Sequence, residues 1–206
     1  MTVRIKICGI THPDDARAAV DAGADLIGLN FVPGSPRCLD LRTAEAICSR
    51  VVGEVERVAV FRDAAPEEIT RVLRRLELER VQLHGSETEE EVEAVDLPVI
   101  KAIRGADVAA AEGFPGTLLL VDNPDAGGGA GQPWHWGDAS DLISRGFDVI
   151  LAGGLTPENV GEALASLGEI LPWGVDVASG VEGSERRKDR ERIASFVRAV
   201  RGESGK

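Results

Sequence analysis

Eight short apolar runs, each followed by a polar segment, are the feature of this chain that most restricts its possible folds. Eight such units in 206 residues leave roughly 26 residues for each, a spacing typical of repeated strand–helix units. The runs are mostly continuous rather than alternating, as expected for parallel strands that are buried on both faces. The predicted strands cover residues 3–8, 26–31, 58–61, 81–84, 99–103, 118–121, 149–152 and 173–177.

Four of the intervening segments carry apolar residues at the i, i+3, i+4 and i+7 positions of an amphipathic helix. The segments that follow strands one, four, five and six carry a weaker pattern, and we predict shorter helices there. The four stripes are Ala44/Ile47/Cys48/Val51, Ile69/Val72/Leu73/Leu76, Val160/Ala163/Leu164/Leu167 and Ile193/Phe196/Val197/Val200.

This alternation predicts an α/β fold, and specifically a single compact (β/α)8 TIM barrel formed by one domain of residues 1–206. An open, doubly wound sheet also alternates strands and helices, so it is the competing architecture. Eight evenly spaced units favour closure, because an open sheet would leave edge strands to protect. In a closed barrel the active site lies at the carboxyl ends of the strands, so the residues directly after each run are the candidates for function.

Charge and cysteine content narrow the partners and the environment. The formal net charge is −12 and the pI is about 4.8, which argues against a nucleic-acid partner because such proteins usually present a basic face. The longest apolar run, at 117–121, is far too short to cross a bilayer, so we expect no membrane partner. The three cysteines, Cys8, Cys38 and Cys48, lack the number and spacing of a disulfide framework, which favours a reducing cytoplasm. The three histidines and these cysteines do not form a zinc-binding pattern either.

Two strand ends carry groups suited to proton transfer. Cys8 ends the first run, where a thiol can act as base or nucleophile once its thiolate is populated, although most free cysteines are simply buried apolar residues. Asp122 follows four apolar residues and must leave the core, because burying an unpaired carboxylate is costly. At the mouth it can serve as a general acid, or it can be a turn aspartate before Pro124.

The last two strands end in glycine-rich turns. Gly153 and Gly154 follow strand seven, and Ser179 and Gly180 follow strand eight. These are the two positions at which many barrels hold a phosphate through free backbone N–H groups. A further glycine run at 127–131 lacks the GK[ST] ending of a P-loop, so we interpret it as a flexible loop or a lid.

Three other features are less specific. Arg37 lies in a proline-stiffened loop after strand two, where its planar fork suits a carboxylate unless it is merely solvated. His84 ends strand four and can donate a hydrogen bond, move a proton or be a structural histidine. We interpret the acidic run at 87–93 as a solvated helix start, favoured by the helix dipole.

Seven segments together resemble one known family. They are KICGIT at 6–11, GLNFVPGSPR at 28–37, VQLHG at 81–85, LLLVD at 118–122, the glycine run at 127–131, LAGGLTPENV at 151–160 and GVDVASGVE at 174–182. In this order, over nearly the whole chain, they resemble phosphoribosylanthranilate isomerase. The resemblance implies a (β/α)8 barrel that performs an Amadori rearrangement in tryptophan biosynthesis, without cofactor or metal, on a small phosphorylated substrate.

The resemblance also implies residue roles and a state of assembly. Asp122 matches the family's acid and Cys8 its base, and the two can divide the proton transfers if the pocket moves the pKa of both groups toward 7. Either a monomer or a homodimer fits the family. The implied substrate-binding residues are Arg37 for the anthranilate carboxylate, Gly153, Gly154, Ser179 and Gly180 for the phosphate, and Gln82 and His84 at the mouth.

Several positions depart from the family pattern, and two alternatives to the family's activity stay open. The departures are Cys38, Ala130, Gln132, His135 and Ala178. One alternative is another sugar-phosphate barrel enzyme, which would use paired aspartates or a lysine–glutamate set. The other is an inactive paralogue that only binds a phosphorylated ligand, and retention of both Cys8 and Asp122 argues against it.

Overall fold

Eight parallel strands close into a barrel in chain order, β1 to β8, in the computed structural model, which describes residues 2–124 and 134–202. The last strand pairs with the first, with Lys6 in register with Asp176. The predicted (β/α)8 architecture is therefore confirmed. The strands are β1 Arg4–Cys8, β2 Leu26–Asn30, β3 Glu56–Phe61, β4 Arg80–Leu83, β5 Val99–Arg104, β6 Leu118–Asp122, β7 Val149–Leu151 and β8 Gly174–Val177.

One α-helix follows each strand in the described ranges, and the helices form the outer layer. No helix in those ranges is long and apolar enough to cross a membrane. Three short 3₁₀ turns, Trp136–Ala139, Ser179–Val181 and Ser184–Arg186, lie in the connections. The helices are α1 Pro13–Ala22, α2 Leu41–Arg50, α3 Pro66–Arg75, α4 Glu89–Glu93, α5 Val108–Glu112, α6 Ser140–Ser144, α7 Val160–Ala165 and α8 Arg190–Arg201.

The inner face of the barrel changes from apolar to polar along the strands. Side chains at alternate strand positions point inward. Near the amino ends they form a dry cluster that includes Leu26, Val58, Leu118 and Ile150. Further along, at the carboxyl ends, the inward positions reach polar groups, such as Asp122 at the end of β6, four residues beyond Leu118. This gradient places the reactive side chains at the carboxyl ends, above a packed floor.

Charged pairs extend β3 beyond the apolar run that predicted it. The strand begins at Glu56, two residues before the run. Glu56 bonds Arg4 at 2.8 Å and Arg80 at 2.6 Å, and the next residue, Arg57, bonds Glu79 at 2.6 Å. Because these carboxylates and guanidinium groups pair with one another at the amino end of the barrel, polar residues are tolerated inside a strand there.

Two local predictions were wrong. The helix after β1 was expected to be short, yet α1 has ten residues, because its buried face is built from small side chains such as Ala16 and Ala19, which leave no large apolar stripe. The acidic run at 87–93 is not a solvated helix start throughout. Glu87 is buried and bonds Lys101 at 2.9 Å, and the helix begins only at Glu89.

Candidate active site

A cavity of about 370 Å³ opens at the carboxyl ends of the strands. It brings together residues that are far apart in the sequence, as the barrel predicts. Of the predicted site residues, Gly180 is the one that does not line it. The predicted site residues that line the cavity are Cys8, Arg37, Gln82, His84, Asp122, Gly153, Gly154 and Ser179.

Asp122 is held by a chain of polar contacts across the ends of β4 and β6. Its Oδ1 accepts a hydrogen bond from the backbone N–H of Asn123 at 2.8 Å, and its Oδ2 lies 3.3 Å from Nε2 of His84. The other ring nitrogen of His84 lies 2.8 Å from the Gln82 amide nitrogen. The Oε1 atom of Gln82 is buried and has no hydrogen-bond partner in the described part of the chain. These contacts fix the Asp122 carboxyl group and leave the Gln82 Oε1 atom without a hydrogen-bond donor.

Cys8 lies at the end of β1 in a strongly charged setting. Burial raises the pKa of its thiol, while the ammonium groups of Lys6 and Lys188 lower it and the carboxylate of Asp176 raises it further. The pocket of the free protein therefore moves this pKa away from 7. The physical reason is that burial, which disfavours a thiolate, outweighs the two nearby cations.

Lys6 is almost completely buried beneath the cavity. Its Nζ donates to Oδ1 of Asp176 at 2.7 Å. Burial lowers the pKa of Lys6, but Asp176 and Cys8 raise it by more, so the pKa lies above its ordinary value. The ammonium group therefore stays charged. The sequence did contain a signal for this pair, since a lysine inside an apolar strand needs a buried anionic partner.

Arg37 is the centre of a second buried charge cluster. Its Nε and one terminal nitrogen donate to the two carboxylate oxygens of Glu182 at 2.7 and 2.9 Å. Lys188 donates to the same Glu182 carboxylate at 2.9 Å and to the Ala178 carbonyl at 2.8 Å. Burial raises the pKa of Glu182, yet its two cationic partners hold it below its usual range. Arg37 is thus a positioned and shielded guanidinium, and Glu182 and Lys188 were missed by the sequence analysis.

The turn after β7 is shaped by two glycines that no other residue could replace without strain. Gly153 and Gly154 adopt left-handed φ values of +80° and +74°. A Cβ atom on Gly153 would lie 2.7 Å from the backbone nitrogen of Asn123 and 2.9 Å from Oδ1 of Asp122. The Asn159 side chain fixes the turn by donating to the Gly154 carbonyl at 2.9 Å. The backbone can therefore approach a ligand closely here.

Gly180 differs from the other three predicted phosphate residues. It packs so closely on the backbone carbonyl of Leu155 that a Cβ atom would collide with it. Its own carbonyl accepts a hydrogen bond from Nε of Arg192 at 3.0 Å. Ser179, directly before it, does line the cavity. The need for glycine at 180 thus comes from packing between the β7 and β8 turns.

The departures from the family pattern fall in different places. The glycine run at 127–131, with Ala130, and the neighbouring Gln132 lie outside the described residues. His135 and Cys38 are exposed, and Ala178 lines the cavity. Among residues 2–124 and 134–202, no group of His, Cys, Asp and Glu side chains could hold a metal ion.

The fold and the cavity together define a class, which is a (β/α)8-barrel enzyme whose mouth presents a carboxyl group, a thiol and a shielded arginine to one ligand. The model of the N-(5'-phosphoribosyl)anthranilate isomerase family matches residues 5–199. The chain belongs to this family.

Individual relatives agree with that assignment over their full lengths. The chain is 44% identical to N-(5'-phosphoribosyl)anthranilate isomerase of Myxococcus xanthus, with 98% of this chain and 97% of the relative covered. The crystal structure of phosphoribosyl anthranilate isomerase from Thermotoga maritima superposes with a TM-score of 0.90 at 35% identity, covering 98% and 100% of the two chains. A structure of the enzyme in complex with reduced 1-(o-carboxyphenylamino)-1-deoxyribulose 5-phosphate gives 0.87 at 34% identity, with the same coverage.

Proposed function

We propose that Cys8 and Asp122 divide the two proton transfers of this family's reaction between them. The chain is an isomerase of tryptophan biosynthesis, and its reaction converts N-(5-phosphoribosyl)anthranilate into 1-(2-carboxyphenylamino)-1-deoxyribulose 5-phosphate. The observation that carries the assignment of roles is that one cavity is lined by a single thiol and by a fixed carboxyl group on different strands. Such an arrangement lets the sugar lie between a base and an acid.

The first step is ring opening. Asp122 donates its proton to the furanose ring oxygen while the lone pair of the anthranilate nitrogen forms a C=N bond at C1, and the C1–O bond breaks. The Asn123 backbone holds one oxygen of this carboxyl group and His84 lies against the other, so the acid is fixed in the cavity. The buried Gln82 Oε1 is available to accept a bond from a sugar hydroxyl.

The second step moves the C2 proton. Cys8 removes it as a thiolate, the electron pair forms a C1=C2 bond, and the iminium nitrogen becomes neutral, which gives an enolamine. Tautomerisation of the C2 enol then yields the ketone. A thiol with a raised pKa is a stronger base once ionised, which favours removal of a carbon-bound proton.

Turnover is the experiment that tests this function and separates it from a protein that only binds the ligand. We expect the purified protein to convert the substrate, which is followed as loss of anthranilate-type fluorescence. A protein that binds product analogues but shows no fluorescence change would support the inactive-paralogue alternative. Turnover of a different sugar phosphate at a higher kcat/KM would support the alternative of another barrel enzyme.

Arg37 is proposed to bind the anthranilate carboxylate. Its Nε and one terminal nitrogen already bond Glu182, so the other terminal nitrogen is left to reach the substrate. We expect Arg37→Met to raise KM by a factor that corresponds to about 1.5–3 kcal/mol, with a smaller change in kcat. Arg37→Lys should recover only part of the loss, because an ammonium lacks the fork. Steady-state kinetics measure both values.

A matched control for Arg37 lies at the other end of the barrel. The Arg57 side chain is 5% exposed, against 12% for Arg37, and forms a similarly short pair with Glu79, but it does not line the cavity. Arg57→Met should lower stability and leave KM near its wild-type value. An Arg37→Met variant with a wild-type KM would contradict the carboxylate assignment.

Gly154 is proposed to lie against the substrate phosphate. We expect Gly154→Asp to raise KM, and the inhibition constant of inorganic phosphate, by about tenfold or more, because the new carboxylate repels the anion and fills its place. Gly168→Asp is the control, since that glycine has a similar φ of +77° but no neighbour within 4 Å and no place in the cavity. Equal effects of the two substitutions would assign the loss to backbone strain alone.

We also propose a cytoplasmic location and a single domain over residues 1–206. The exposed Cys38 and the thiol of Cys8 favour a reducing compartment. A single domain is supported by the direct pairing of the first and last strands, β1 and β8.

A monomer or a homodimer is the proposed assembly. Large exposed apolar side chains in the described ranges are confined to Val52 and Leu171, which favours the monomer.

A further inference from the structure

Lys6 has no place in the mechanism derived so far, although it is among the largest fully buried side chains in the described ranges. A buried ammonium group is costly unless a specific arrangement requires it. Lys6 and Cys8 are two residues apart on β1, so both side chains point into the barrel on the same face. The ammonium therefore lies below the thiol, on the same inner face of the barrel.

The neighbouring strand provides the space in which the two groups meet. Gly28 on β2 is in register with Cys8 and has no side chain. A Cβ atom placed on Gly28 would lie 2.7 Å from Sγ of Cys8 and 3.2 Å from Nζ of Lys6. Both the thiol and the ammonium group therefore lie in the space that a side chain at position 28 would fill.

The strand on the other side fixes the ammonium. Asp176 on β8 is in register with Lys6, and its Oδ1 accepts a bond from Nζ at 2.7 Å. An ammonium has three donors, so this bond leaves others free to point at the sulfur. Beyond this pair, Lys188 before α8 and Arg37 in the loop after β2 also act on Cys8, and both are neutralised by Glu182.

We propose that Lys6 is a positioning residue for the base, whose ammonium stabilises the Cys8 thiolate while Asp176 holds that ammonium in place. This inference rests on the proposed role of Cys8. It predicts effects of opposite sign when the two partners of one buried ion pair are neutralised separately. Loss of Lys6 removes the cation beside the sulfur, whereas loss of Asp176 removes an anion and leaves the cation.

The test is the rate at which iodoacetamide alkylates Cys8 as a function of pH, with the modified peptide quantified by mass spectrometry. Lys6→Met should raise the pKa read from this profile by about 1 or more and slow alkylation at pH 7 about tenfold. Asp176→Asn should lower that pKa. Lys6→Arg, which keeps a cation, should fall between wild type and Lys6→Met. Steady-state kinetics of Lys6→Met should show a fall in kcat with KM nearly unchanged.

Lys101→Met is the matched control, because it breaks an equally buried pair, with Glu87, that does not act on Cys8. Its alkylation profile should equal that of the wild type. An unchanged profile in Lys6→Met, or shifts of the same sign in Lys6→Met and Asp176→Asn, would overturn the proposal. If Lys6→Met fails to fold, Lys6→Arg decides instead, because it moves the cation relative to the sulfur, and an alkylation profile identical to that of the wild type would overturn the proposal. Normal turnover by Cys8→Ala would instead refute the role of Cys8 as base, whatever the alkylation profiles show.

Discussion

Cys8→Ala is expected to lower kcat by about 10²–10⁴, the usual contribution of a positioned general base, while KM changes little. The thiol touches the reacting carbon only in proton transfer, so its removal should cost transition-state stabilisation rather than binding. Cys8→Ser should do little better, because a hydroxyl group is a far weaker base than a thiolate. Steady-state rates with the fluorescent substrate, and the binding of a product analogue, measure the two effects separately.

The other two cysteines supply the controls for that experiment. Cys38 is exposed and lies outside the cavity, and Cys48 is buried in α2, where burial raises its pKa to about 11. Cys38→Ala and Cys48→Ala should leave kcat near its wild-type value, and a product analogue should protect Cys8 alone from alkylation. Full turnover by Cys8→Ala would refute the proposed mechanism.

Asp122→Asn is the second substitution with a large expected effect. An amide preserves the size of the side chain and can still contact the Asn123 backbone and His84, but it cannot deliver a proton to the ring oxygen. We expect kcat to fall by about 10²–10⁴ with a modest change in KM. Rapid-quench measurement of ring opening should show that this first step has become slow, whereas it remains fast in Cys8→Ala.

Asp40→Asn is a suitable control for the change of carboxylate to amide. Asp40 caps α2 through a bond to the Thr43 backbone, and asparagine caps helices equally well, so activity should be unaffected. The double variant Cys8→Ala, Asp122→Asn should be less impaired than the product of the two separate losses, because both groups serve one reaction path. If Asp122→Asn opens the ring at the wild-type rate, the acid must be sought elsewhere in the cavity.

Much of the site could be predicted before the fold was seen. Cys8 and Asp122 each end an apolar run, and a barrel places the ends of all strands at one mouth, so the order of runs and polar residues was enough to select them. The same logic selected Arg37, His84, Gly153, Gly154 and Ser179, and the family resemblance added Gln82; all of them line the cavity. It also selected Gly180, which packs on Leu155 and does not line the cavity, because a requirement for glycine looks the same in sequence whatever its cause.

The sequence by itself determined the architecture, since eight repeats of strand and helix periodicity can bury their apolar faces together by closing into a ring. Only the tertiary structure decided the electrostatics of the site. Lys6 meets Asp176 across 170 residues, and Arg37 meets Glu182 across 145. Local patterns carry no record of such pairings, because the energy of a buried charge depends on which opposite charge the closed barrel brings within bonding distance.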